Sequence, residues 1–257
     1  EPPEPAPAEG GDPDRSLRYD HRLEFRSENN SHVQLLGRIP DGARVLELGC
    51  ATGRVAAHLA AHKGCQVVGV DIDGPSLRKA APHCTRTLCV DVEDPDWQSD
   101  LGDERFDVVL CADIIEHLKD PEAFLAGLCG RFADGGRLLA SVPNGAHVSV
   151  RLELLQGHLT YEDTGLLDRT HLHLFTHRSL MALLTRAGYV VQELSYTFHD
   201  IPDEVVEERL ARAGLVPTPE ALARLHAPDA VAYQYILAAR PQAPGEPVPP
   251  HPELRDK

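Results

Sequence analysis

Between Asp41 and Val142, short runs of branched apolar residues alternate with stretches whose apolar positions recur every three or four residues. Short apolar runs bounded by turn residues are buried strands, and their alternation with helical periodicity predicts a parallel sheet covered on both faces. Five strands are expected there: Ala43 to Leu48, Gln66 to Asp71, Arg86 to Asp91, Phe106 to Cys111 and Arg137 to Val142. The helix after the first strand runs from about Gly53 to His62, with Val55, Leu59 and Ala60 as its apolar stripe and Gly64 as its stop. Another starts with Asp120 as N-cap and Pro121 in the first helical position, and ends near Gly130. Asp134-Gly135-Gly136 then turns the chain into the fifth strand.

The pattern breaks from Pro143 to His177, where histidines and Gly145, Gly157 and Gly165 punctuate a connection too long for an ordinary strand-to-helix link. Long connections in compact domains usually carry function. Thr176 next caps a helix through Ala187 that Gly188 ends, and Tyr189 to Tyr196 and Ala230 to Ala239 supply two further strands. A polar helix containing Glu204, Glu207 and Glu208 lies between them.

Composition changes this picture at the ends. A chain of 257 residues, 42% hydrophobic, can bury one large core, so one principal domain is expected. Acidic Pro-rich segments, Glu1 to Asp14 and Pro241 to Pro252, bury too little apolar surface to offset ordering entropy; they predict a tail or linker over 1–18 and another over 241–257, with possible flanking domains in a longer chain. No apolar run is long enough to span a bilayer and the N-terminus has no secretory h-region, which predicts a cytoplasmic protein without a membrane partner. Cys50, Cys65, Cys84, Cys89, Cys111 and Cys129 are scattered through apolar stretches with no Cys-x-x-Cys pair and are expected as reduced core thiols. A formal charge of −15 and the lack of a Lys/Arg run disfavour a nucleic-acid substrate. The scarcity of lysine beside arginine, with abundant alanine and proline, suggests a GC-rich bacterial gene.

The candidate chemistry begins at Val45-Leu46-Glu47-Leu48-Gly49-Cys50-Ala51-Thr52-Gly53, a strand followed by a glycine-containing turn that opens a helix. Such a turn lets backbone N–H groups and the positive helix end approach a ligand. Asp71 ends the next strand, where a carboxylate can take both ribose hydroxyls, and Asp91 ends the third, near an adenine amino group. A dinucleotide uses the same fold, but the Gly-x-Gly-x-x-Gly template laid on Gly49 finds Ala51 and Arg54 at its second and third glycines. Glu47 would meet a pyrophosphate with like charge; a ligand without phosphate that carries a methionine ammonium suits it better.

These residues, with Gly69-Val70-Asp71-Ile72-Asp73, Asp91-Val92, Phe106-Asp107-Val108-Val109-Leu110 and Glu116-His117-Leu118-Lys119-Asp120-Pro121, resemble the ordered motifs of class I S-adenosylmethionine-dependent methyltransferases. Ser141-Val142-Pro143-Asn144 and the run from Leu167 to Thr176 extend the resemblance to a bacterial subgroup similar to ubiquinone-biosynthesis and sugar O-methyltransferases, over about Tyr19 to Arg240. It implies an α/β Rossmann-like, doubly wound seven-stranded sheet, mostly parallel with an antiparallel last strand, in a methyltransferase domain over 19–240 with a substrate-side insertion at about 143–177. It further implies S-adenosyl-L-methionine as cofactor, with Gly49 and Gly53 at the methionine end, Asp71 and Ile72 at the ribose, and Asp91 and Val92 at the adenine; Glu47 and Cys50 are expected as cofactor-binding residues beside them. Cys111, Ala112 and Asp113 would form the other wall. Ala51 departs from the glycine that many members carry.

Methyl transfer mainly requires alignment of the nucleophile, and a hydroxyl nucleophile also needs its proton removed. His171 is the candidate base or substrate contact, with Asp168 supporting it; the same pair could instead brace the connection. His173 shares a strand-like face with His171, and His117 after the fourth strand is an alternative base. Tyr19 and His21 could form a lid and Tyr161 could face the substrate, although a surface role suits each as well. Asp168, His171 and His173 show no distant fourth ligand, so no metal is expected. The expected activity is methyl transfer to a small-molecule hydroxyl, of a sugar or secondary metabolite; N-methylation, protein or peptide methylation, and a catalytically silent cofactor-binding scaffold are the alternatives.

Overall fold

The computed structural model describes residues 27–254. In it the strands β1 (Arg44–Leu48), β2 (Gln66–Asp71), β3 (Arg86–Cys89), β4 (Phe106–Ala112), β5 (Phe132–Pro143), β6 (Tyr189–Phe198) and β7 (Ala232–Pro241) form one sheet in the order β3-β2-β1-β4-β5-β7-β6. β7 lies antiparallel between β5 and β6, and the other neighbours pair parallel. The expected seven strands and antiparallel last strand are both present.

Alternation along the strands divides the core into two layers. Leu46, Val70, Val109, Leu138 and Leu237 face α4 (Pro121–Leu128) and α6 (His177–Arg186), through Leu125, Leu128, Leu180 and Leu184. Val45, Val67, Val108 and Ile236 face α1 (Ser31–Gly37) and α2 (Arg54–Lys63), through Leu35, Leu36, Val55 and Leu59. A helix α3 (Gly74–Ala80), capped by Asp73, covers the β2–β3 edge. Burying an aliphatic side chain from either layer contributes roughly 1.5–3 kcal/mol, which holds the strands level and their C-terminal ends aligned.

The departures from the sequence expectations have local causes. Asp134-Gly135-Gly136 does bend the chain, but inside β5: four residues there, 133–136, lie opposite the single Asp107 of β4, and a Cβ on Gly136 would sit 2.6 Å from the Phe106 carbonyl oxygen. β3 stops at Cys89 rather than Asp91, because Asp91 turns back to accept hydrogen bonds from the Glu93 and Asp94 N–H groups. The long connection contains a helix, α5 (Val148–Leu155), capped by His147. It packs with the expected polar helix α7 (Asp203–Arg212) in a small core of Val148, Leu152, Val206, Leu210 and Ala230. Two short helices follow, α8 (Pro219–Leu225) and α9 (Pro228–Val231). The segment after β7, expected as a tail, lies along the domain: Gln242 N–H donates to the Gly188 carbonyl at 2.8 Å and Leu254 packs on the main core. Of the cysteines, Cys89 is exposed rather than in the core. No helix among the described residues is long and apolar enough to cross a membrane.

Two glycines flanking α2 separate backbone strain from crowding. Both have left-handed φ, +75° at Gly53 and +63° at Gly64, but an added Cβ on Gly53 would lie 2.6 Å from Ala80 Cα, whereas Gly64 faces open space. Gly64→Ala should therefore cost about 1 kcal/mol of stability and Gly53→Ala about 2–4 kcal/mol, read by urea unfolding. Equal losses would show that helix α3 does not press on the loop.

Candidate active site

The C-terminal ends of β1, β2, β3 and β4 open into one cleft of about 810 Å³. Its floor is the turn after β1. Gly49 and Cys50 both donate their N–H to the Val70 carbonyl, at 2.8 and 3.0 Å, so the turn is fastened to the neighbouring strand. Gly49 has φ +70°, and Ala51 takes the left-handed φ of +44° despite its methyl group. Ala51 is held there by donating its N–H to Asp71 Oδ2 at 2.7 Å, while Asp71 Oδ1 accepts from Asp73 N–H at 2.8 Å. The Asp71 carboxylate thus builds the turn as well as lining the cleft.

Glu47, on the α1/α2 face of β1, is 5% exposed, and its Oε2 is buried without a hydrogen-bond partner. Burial and the nearby Asp71 carboxylate raise its pKa from the ordinary carboxylate range to about 8. A buried carboxyl lining a cleft, with an orphaned oxygen and an acidic neighbour, calls for a cationic ligand group.

The other end of the cleft is built on the turn after β4. Asp113 has φ +51°, uncommon for a non-glycine residue, and is fixed by hydrogen bonds from Ser141 Oγ at 2.8 Å and Gln234 Nε2 at 2.9 Å to its Oδ1. Glu116 follows, 1% exposed, its two carboxyl oxygens lacking hydrogen bonds. Burial, aided by Asp113 and Asp168, raises its pKa well above the usual range, so it is held as the neutral acid. His117 Nε2 and His171 Nε2 each lie 3.9 Å from Glu116 Oε1, and the two rings meet edge to face with centroids 4.8 Å apart.

Both histidines have the same polarity. Nδ1 of His117 lies 3.1 Å from the Thr170 carbonyl and Nδ1 of His171 lies 3.0 Å from the Leu166 carbonyl. A carbonyl only accepts, so Nδ1 carries the hydrogen in each neutral ring and Nε2 keeps its lone pair. Burial, and then the neighbouring His171, lower the His117 pKa and keep that ring neutral. The arrangement is two imidazole Nε2 atoms around a buried carboxyl. One ligand atom from each of Glu116, His117 and His171 lies within 4.8 Å of the others, so the three could also hold a metal ion. The group is not the Asp168, His171 and His173 set considered from sequence: Glu116 and His117, distant in sequence, join His171 instead.

Of the residues expected at the cofactor, Glu47, Gly49, Cys50, Asp71, Ile72, Asp91, Val92, Ala112 and Asp113 line the cleft. Cys111 does not: strand alternation turns it into the α4/α6 core, fully buried. Gly53 lies behind the lining, where it permits contact with Ala80. His117, Asp168 and His171 line the same cleft. Asp168 Oδ1, however, accepts from Thr170 N–H and Oγ1, at 2.8 and 2.6 Å, and the hydrogen-bond partner of the His171 ring is Leu166. The segment is a series of turns rather than a strand, so His173 does not share the face of His171 and stacks on Phe175 instead. Tyr161 is exposed and outside the cleft, and Tyr19 and His21 lie outside the described residues. Sequence reasoning missed Asn30 and His32 at the start of α1, Glu116, and the β7 pair Tyr233 and Gln234. The polar run before Val33 with Asn30 as a cap was a usable signal for the first pair; nothing local marks the last.

Residues 19–194, more than half of the chain, match the family model described as a methyltransferase domain. A ubiquinone biosynthesis O-methyltransferase of Idiomarina loihiensis is 31% identical over 109 residues, a match covering 40% of this chain and 43% of that protein, so less than half the relative's length is spanned. Among solved structures, the N-methyltransferase NodS from Bradyrhizobium japonicum in complex with S-adenosyl-L-homocysteine superposes with a TM-score of 0.53 at 16% identity, covering 90% of this chain and 96% of that one. The [4+2]-cyclase SpnF gives 0.53 at 17% identity, with 86% and 85% covered, so the fold by itself fixes no reaction. Taken with the seven-stranded sheet and its antiparallel β7, the family match shows that this chain belongs to the class I S-adenosylmethionine-dependent methyltransferases.

Proposed function

We propose that the chain transfers a methyl group from S-adenosyl-L-methionine to a hydroxyl of a small-molecule acceptor, with the His117–His171 pair taking the hydroxyl proton. The observation that carries the cofactor half is Glu47, a buried carboxyl whose free oxygen lacks a protein partner. It suits the ammonium of a methionine moiety and opposes a pyrophosphate. In this reading the Gly49–Ala51 turn holds the methionine end, Asp71 and Ile72 the ribose, Asp91 and Val92 the adenine, and Ala112 and Asp113 the opposite wall. Bound there, the cofactor supplies an electrophilic methyl on a sulfonium, so the chain's main task is alignment, worth about 7–11 kcal/mol when the acceptor is well oriented.

The acceptor half rests on the Glu116–His117–His171 cluster. With the cofactor held there, its methyl–sulfur bond would break as the acceptor oxygen bonds to the methyl carbon and S-adenosylhomocysteine would leave, while Nε2 of His117 or His171 would take the hydroxyl proton beside the buried Glu116 carboxyl. Oxygen is favoured over nitrogen because a neutral amine already has a free lone pair and needs no base while attacking. The O-methyltransferase relative agrees with this choice, and NodS, named as an N-methyltransferase, represents the second reading. The negative charge of the chain disfavours a nucleic-acid acceptor. We assign the catalytic domain to residues 19–240 and acceptor selection to the 143–177 connection.

Calorimetry should show S-adenosylmethionine and S-adenosylhomocysteine binding with no response to NAD; NAD binding alone would reverse the cofactor assignment. His171→Ala and His117→Ala should each lower turnover about 10²- to 10⁴-fold while S-adenosylhomocysteine affinity stays within about twofold. Unchanged turnover in both variants would remove the base. Activity should survive exhaustive treatment with a chelator, and loss restored by a divalent cation would reassign the cluster as a metal site. Glu47 also affects unliganded stability. Its folded pKa of about 8 exceeds the unfolded carboxylate value, so the native state holds an extra proton between them and loses stability as pH rises from about 5 to 8. Glu47→Gln should flatten this slope and raise unliganded stability at pH 8 by about 1–3 kcal/mol. Parallel stability–pH curves for the two proteins would contradict the buried-acid assignment.

A further inference from the structure

A second cavity, of about 440 Å³, opens beside the first between α5, the segment 162–167 and the corner joining β6 to α7. Gly165, Leu166 and Tyr233 line both cavities, so the partition between them is a single layer of residues. Tyr233 comes from β7, and a Cβ on Gly165 would lie 3.6 Å from its hydroxyl. Leu166 is also the residue whose carbonyl accepts from His171 Nδ1. A ligand in the second cavity would therefore lie against the residue whose carbonyl holds the proposed base.

The charged lining is unequal. Glu153 of α5, Glu162 and Asp200 face the cavity with Arg209 as the opposing cation, and among the described residues no ion pair joins Arg209 to any of the three. Asp200 is shared with His226, 2.7 Å away, at the outer corner. Glu153 Oε2 is shielded from solvent and has no hydrogen-bond partner. A shielded, unpartnered carboxylate oxygen beside two further acids repels phosphates and carboxylates and is complemented by an ammonium group.

We propose that this second cavity binds the non-reacting end of the methyl acceptor, and that this end carries a protonated amine, as in an amino sugar. The inference rests on the neighbouring cleft being the methyl-transfer site. The volume accommodates a substituted sugar ring, whose hydroxyls can meet Ser149, His199 and Tyr233 while its amine meets Glu153. The acceptor thus reaches over the shared rim of Gly165, Leu166 and Tyr233, with the reacting hydroxyl at His117 and His171 and its amine beyond Leu166.

The full chain, saturated with S-adenosylhomocysteine, is titrated with glucosamine and, separately, with glucose, at about pH 6.5 where the amine is protonated. Glucosamine should bind about tenfold or more tightly than glucose; Glu153→Gln should erase about tenfold of that preference and Arg209→Gln should increase it about threefold, with glucose affinity nearly constant. Retained thermal unfolding midpoints and S-adenosylhomocysteine affinity verify that both variants are folded. Equal affinity for the two sugars, binding of neither, or a preference indifferent to Glu153→Gln would overturn the proposal. Failure to bind S-adenosylhomocysteine would instead overturn the methyltransferase reading of the first cleft, so the two failures are distinguishable.

Discussion

A carboxyl group placed on a buried strand with one oxygen unsatisfied is the constraint around which this molecule is organised. Glu47 shares its strand face with Val45 and lines the cleft with one buried carboxyl oxygen that no protein group satisfies. The adjacent Asp71 cannot relieve it, because that carboxylate is a like charge and is already engaged by the Ala51 and Asp73 N–H groups. Two acids are thus fixed against each other at the ends of neighbouring parallel strands. Glu47 is held neutral in the unliganded chain, and a ligand bringing positive charge converts an unfavourable arrangement into a favourable one.

The opposite end repeats this physics with a different outcome. Glu116 is also buried, with its pKa raised by that burial, but two histidines face it with Nε2 of each 3.9 Å from its Oε1. Two carbonyls, from Thr170 and Leu166, set that polarity, and both belong to the long connection after β5. The connection therefore acts as the support of the proposed base. Backbone strain marks the two ends, with Ala51 and Asp113 in left-handed conformations that the surrounding hydrogen bonds enforce. The same connection supplies Gly165 and Leu166 to the partition with the second cavity, and β7 supplies Tyr233.

The sequence made the sheet legible because short apolar runs, helix caps and glycine stops are local signals. Thr176, Asp120 and Gly64 each act where expected. The methionine-end residues were legible for the same reason, since strand, turn and helix follow one another within a few residues. Cys111 was misplaced because a strand-end motif does not say which face a given residue takes, and its neighbour Ala112 is the one that lines the cleft. The base cluster was only half legible. His117 and His171 could be named, but their meeting depends on the path of a connection more than thirty residues long, and Glu116 entered the sequence reading only as part of a motif. Tyr233 and Gln234 were invisible because β7 inserts between β5 and β6, a pairing far apart in sequence.

The central claim is that Glu47 is a neutral acid awaiting a cationic ligand. Its most direct test is the number of protons exchanged when S-adenosylmethionine binds, obtained by calorimetry in buffers of different ionisation enthalpy at about pH 6.5. Ionisation of Glu47 against the incoming ammonium predicts release of close to one proton by the wild-type chain and none by Glu47→Gln. Binding with no proton release, or equal release by both proteins, would contradict it.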